Sequence, residues 1–127
     1  MNRRLFQFRY SFEREVVEYF AVVTIGATGA PTLTIGKGIT SITRNSAGQY
    51  TIRLQDASAK LLSCSVMFDS GTSAAAAPMV VVEGEDVEDI VTPEVILQCR
   101  AIDNSTATDP ADGERMLIKL AVRNSSN

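Results

Sequence analysis

Residues 36–68 read GKGITSITRNSAGQYTIRLQDASAKLLSCSVMF, and this stretch decides the fold. Tyr50, Ile52 and Leu54 alternate with Gln49, Thr51 and Arg53, the period of a strand with one buried face. Upstream, residues 39–44 are rich in Ile and Thr, and Asn45-Ser46-Ala47-Gly48 supplies turn residues. Together they predict a β-hairpin with a four-residue loop. A third strand follows residues 56–60, with Leu62, Cys64, Val66 and Phe68 expected on one face. The segment therefore reads as a β-meander.

The same period recurs outward from this centre. Val95, Leu97, Cys99 and Ala101 alternate along one strand, and Met116, Ile118, Leu120 and Val122 alternate with Leu117, Lys119, Ala121 and Arg123 along another. Residues 16–25, VVEYFAVVTI, are β-branched and aromatic, which favours a strand over a helix across residues 11–20. GATGAP at residues 26–31 marks a turn, residues 32–35 a short strand, and residues 79–82 another. Residues 83–89 form an acidic run expected to be a loop. Residues 70–78 hold Gly, Ser, Thr and four consecutive alanines, too few for a stable helix, and are expected to form a flexible loop. Residues 103–114 form a polar connection. Seven or eight short strands without a convincing helix predict an all-β, single-domain antiparallel β-sandwich or small barrel. Tyr50, Ile52, Leu54, Leu62, Val66, Met116, Ile118, Leu120 and Val122 are expected to share its core.

The N-terminal end differs in character. Phe6, Phe8, Tyr10 and Phe12 occupy every second position, with Gln7, Arg9 and Ser11 between them. Residues 1–14 carry Arg3, Arg4, Arg9 and Arg14 against Glu13, a sum of +3. Residues 15–127 hold eight basic and fourteen acidic residues, a sum of −6. The reading is a basic, aromatic arm over residues 1–14 and a sandwich domain over residues 15–127. An acidic body argues against a broad nucleic-acid surface, although such an arm has a composition able to touch phosphates and stack bases.

A chain of 127 residues, 45% of them hydrophobic, builds a single core without needing disulfides or metals. It has no apolar run of bilayer-spanning length and no leader-like segment at Met1, so a soluble, unprocessed protein is expected, with no membrane partner. Cys64 and Cys99 both fall on apolar strand faces, where a reduced thiol behaves as a small hydrophobe. A disulfide between them requires that the fold juxtapose their strands.

Chemistry is sparse. The absence of histidine removes Ser-His-Asp and Cys-His catalysis and the commonest zinc sites. Gly36-Lys37-Gly38 fails the phosphate-loop pattern, which needs four residues between its glycines and Ser or Thr after Lys. The acidic run lacks the alternating carboxylates of a calcium loop. Asp109 and Asp112 sit beside Pro110 and Gly113, so they read as turn formers before they read as an acid–base pair. The acceptor-like patterns at Asn104 and Asn124 are taken as coincidental. No catalytic residue, cofactor site or metal site is expected.

Three pieces of wording carry a resemblance: TIGATGA at residues 24–30 running through GKGI at 36–39; SITRNSAGQYTI at 41–52 with LQD at 54–56 and LLS at 61–63; and ATDPADG at 107–113 with RNSS at 123–126. In this wording the chain resembles small structural proteins of tailed-bacteriophage virions. The resemblance covers most of residues 21–127 in pattern and excludes residues 1–20 and the alanine-rich loop. It implies a non-enzymatic capsid decoration, or cement, protein made in the bacterial host cytoplasm. Such a protein binds the outside of the head shell, commonly as a homotrimer, and clamps neighbouring major capsid subunits. Its expected partner is the major capsid protein. Arg3, Arg4, Phe6, Phe8, Arg9, Tyr10 and Phe12 are the candidate contact residues, chosen for the arm's composition, since the resemblance does not reach them. A tail, fibre or baseplate component is the alternative of the same kind. A nucleic-acid-binding module using the arm is the alternative of another kind.

Overall fold

The computed structural model describes residues 16–69, 78–101 and 106–123. Its eight strands are β1 (Val16–Ile25), β2 (Pro31–Gly36), β3 (Ile39–Ser46), β4 (Gln49–Leu54), β5 (Lys60–Asp69), β6 (Met79–Asp86), β7 (Glu94–Arg100) and β8 (Arg115–Arg123). A short 3-10 turn, Ala27–Gly29, joins β1 to β2. The strands form two antiparallel sheets, ordered β2-β1-β8-β5 and β3-β4-β7-β6. Neither sheet closes on itself. The fold is a β-sandwich, and the barrel alternative falls away.

Alternation places one face of each sheet against the other. Val23, Ile25, Met116 and Leu120 from the first sheet meet Tyr50, Ile52, Val95, Leu97 and Cys99 from the second, all essentially removed from water. β2 lies beside β3 at one margin and β5 beside β6 at the other. The expected core holds for Tyr50, Ile52, Leu54, Met116, Ile118, Leu120 and Val122, while Val66 is half-buried and packs against it.

Leu62 is the exception. Register along β5 and β8 runs Leu61 opposite Val122 and then Ser63 opposite Ala121, so Leu62 is the extra residue of a bulge. The bulge reverses the parity of the strand's start. Leu61 packs toward the core and Leu62 is half-exposed.

The meander is likewise corrected. β3 and β4 pair as a hairpin, but β5 pairs with β8 in the opposite sheet. The crossing between sheets is pinned by Ser58 N donating to Val87 O at 2.7 Å and Ala59 N donating to Arg123 O at 2.8 Å. The hairpin loop is also tighter than expected. Ser46 still pairs with Gln49, leaving Ala47-Gly48 as the turn and a register shift between Arg44 and Ser46. Finally, β6 continues through Glu83, Glu85 and Asp86, half of the expected acidic loop, because its backbone pairs with β7 as far as Glu94.

The expected flexible loop lies outside the described residues from 70 to 77, and so does the whole arm, residues 1–14.

Candidate functional site

Three features stand out once the sandwich is assembled: an ionic cluster at one end, an apolar row across one outer face, and an apolar tip at the other end.

The cluster centres on Asp109, in the connection from β7 to β8. Its Oδ2 accepts from Arg44 Nη2 at 2.7 Å, and its Oδ1 accepts from Arg44 Nε at 2.9 Å and from Gly48 N at 2.8 Å. Tyr50, fully buried, donates its hydroxyl to Gly29 O at 2.8 Å, with Asp109 Oδ1 a second acceptor at 3.3 Å. The Arg44 guanidinium, together with the Gly48 N–H, holds the Asp109 carboxyl below the usual carboxylate range. Burial pushes the Tyr50 hydroxyl well above its ordinary value, with the Asp109 charge adding to the rise.

Two glycines make room for this cluster. Gly29 has φ +76°, and a Cβ there would lie 2.6 Å from Asp109 Cγ. Gly48 has φ +72°, and a Cβ there would collide with the Cys99 carbonyl. Both occupy the left-handed region that side chains disfavour. Gly29, Arg44, Gly48, Tyr50 and Asp109 come from the three segments that carry the resemblance. The wording scattered along the chain is thus one contiguous structure, joining the two sheets at their ends. Among the described residues no buried side-chain nitrogen or oxygen lacks a partner, and the cluster ties the β1–β2 turn, the β3–β4 hairpin and the β7–β8 connection together.

The outer face of the first sheet is a different surface. Register sets Ile35 beside Val22, Val22 beside Leu117 and Leu117 beside Met67, an apolar row across all four strands. Ile35 is 64% exposed and Met67 71%. Phe20, 56% exposed, adjoins this row, with Lys119 Nζ 5.7 Å above its ring. Ion pairs bracket it, Lys119 with Glu18 at 3.5 Å on one side and Arg115 with Asp69 on the other. On the second sheet the edge strand β6 exposes Met79 and Val81, while the outer face over β3 and β4 is polar. A shallow hollow there is lined by Thr40, Ser41, Thr43, Asn45, Thr51 and Arg53, with Asn45 donating to Thr51 and Arg53 paired to Glu94.

The tip lies in the β6–β7 connection, where Ile90 is 88% exposed and Val91 85%. It is built to hold its shape. Asp89 Oδ1 accepts from Val91 N at 2.8 Å, and its Oδ2 accepts from Thr92 Oγ1 at 3.0 Å. These donors hold the Asp89 carboxyl below the usual range. Val87, fully buried, anchors one side, and Leu54 N donating to Pro93 O at 2.9 Å anchors the other.

The contact residues expected from sequence, Arg3, Arg4, Phe6, Phe8, Arg9, Tyr10 and Phe12, all lie outside the described residues. Asp109, read first as a turn former, proves to be a hub, whereas Asp112 takes no part in it. The apolar row was missed, although a signal for it was present. On its outward parity β1 carries Phe20 and Val22, and β8 carries Leu117 between Arg115 and Lys119. Among the described residues no group of His, Cys, Asp or Glu is arranged to hold a metal ion, and no helix is long and apolar enough to cross a membrane.

No family model, no curated protein and no solved structure matches this chain.

Proposed function

We propose that this chain is a structural protein of a tailed-phage virion, a decoration protein that acts by binding and not by catalysis. It attaches to the outer surface of the head shell as a homotrimer and reinforces contacts between major capsid subunits. The observation that carries the reading is the apolar row on the outer face of the first sheet. A row four strands wide on a small braced sandwich marks a surface that is covered in an assembly. The motif resemblance supplies the kind of assembly.

Decoration by a symmetric oligomer follows a multivalent logic. Identical feet on neighbouring shell sites raise the effective concentration of each contact, so individually weak contacts sum to firm attachment. In this reading residues 1–14 are the feet. The aromatics Phe6, Phe8, Tyr10 and Phe12 are buried against the partner, while Arg3, Arg4 and Arg9 meet acidic groups or carbonyls.

Co-sedimentation with purified empty shells lacking the protein tests this. Saturable binding that survives nuclease treatment is expected. Binding to free single strands that weakens steeply with salt, without shell binding, would instead place the chain among nucleic-acid-binding modules.

A further inference from the structure

We propose that the β6–β7 tip of one copy seats on the apolar row of a second copy, a head-to-face contact between identical chains. Ile90 and Val91 are the most exposed large apolar side chains among the described residues. Their loop is nevertheless tied down at Val87, Asp89 and Pro93. An ordered loop that presents two β-branched side chains to water loses little conformational freedom when it is covered.

Charge selects the receiving surface. Residues 79–93 hold five carboxylates, Glu83, Glu85, Asp86, Glu88 and Asp89, and no basic residue, a sum of −5. The face around the row holds Lys60, Arg115, Lys119 and Arg123 against Glu18 and Asp69, a sum of +2 in a chain that is acidic as a whole. An acidic apolar tip and a basic-rimmed apolar row are complementary, whereas face against face or tip against tip would set like charges together.

One copy cannot satisfy both halves of this contact. The tip extends from the second sheet, and the row lies on the far side of the first. The contact is therefore heterologous, using two different patches, and it closes into a ring when the rotation between copies permits. It stands without the shell-binding reading, since it is present in protein that never meets a capsid.

Sedimentation equilibrium of the full chain, with two variants, tests it. Ile90→Ser with Val91→Ser removes the tip, and Ile35→Ser with Met67→Ser removes the row. All four positions are exposed, so the fold is retained, which circular dichroism and melting check. Each variant alone should associate at least about tenfold more weakly than the parent, the scale for losing central apolar anchors. An equimolar mixture of the two should form a heterodimer, because the tip variant keeps a row and the row variant keeps a tip. Raising salt should weaken the parent's association. A monomeric parent, variants that assemble like the parent, or a mixture that stays monomeric would each overturn the proposal. So would assembly lost on deleting residues 2–14 but kept in both variants, which would make the arm the occupant. Loss of shell binding with self-association intact would count against the capsid reading alone.

Discussion

Asp109 draws Arg44, Gly48 and Tyr50 to one point from positions about sixty residues away in sequence. Replacing it with Ala leaves the Gly48 N–H and the Arg44 guanidinium without their acceptor, at a cost of about 2–3 kcal/mol in chemical denaturation. The pH dependence has a definite sign. Asp109 titrates lower in the folded chain than in the unfolded chain, so its contribution is fully present above the ordinary carboxylate range. That contribution is lost as pH falls through the depressed value, and Asp109→Asn should flatten this part of the acid limb of a melting profile. An unchanged acid limb would mean that the cluster is ornamental. The thiols give a second residue-scale test. Both cysteines are free; burial pushes Cys64 up to about 11, and burial with nearby Asp109 and Glu114 charge pushes Cys99 up to about 12. Alkylation at neutral pH should be slow in the native protein and rapid after unfolding, and reductant should leave the melting temperature unchanged. A fall in stability on adding reductant would reveal a disulfide.

At the scale of elements, period-2 alternation made β4, β7 and β8 legible from sequence, because each has one wholly apolar parity. Truncating Ile118 or Leu120 to Ala should accordingly cost about 2–5 kcal/mol. Alternation cannot see a bulge, and this is why Leu62 was placed inside and Leu61 was not. Leu61→Ser should destabilise the fold measurably, whereas Leu62→Ser should be close to neutral in the same denaturation experiment. Equal effects would contradict the bulge. Pairing partners were less legible still. The crossing of β5 to the other sheet depends on hydrogen bonds from Ser58 and Ala59 to distant carbonyls, and no local pattern encodes those. Asp109 was hidden for the same reason. Its neighbours announce a turn, but its partners are remote in sequence. Of the outer row only Phe20 and Val22, on the second parity of β1, left a trace in the chain. Leu117 and Met67 are single large apolar residues on parities otherwise held by Arg115 and Lys119 or by Ser65 and Asp69. The row became readable once register set the four strands side by side.

At the scale of the whole molecule, an ionic cluster braces one end of the sandwich, while the most exposed large apolar side chains among the described residues, Ile90, Val91, Met67 and Ile35, lie on one tip and one face. That division suits a protein whose work is to be held against others. Removing residues 2–14 should leave a folded body, since the described strands bury an extensive core between themselves, with shell affinity reduced at least about tenfold in co-sedimentation. Unchanged affinity would make the arm dispensable. The most direct test of the capsid assignment is an electron-microscopy map of head shells incubated with the full chain. The account predicts discrete sandwich-sized densities on the shell's outer surface at symmetry-related positions between major capsid subunits. Shells bare of added density, or density confined to the tail, would contradict it.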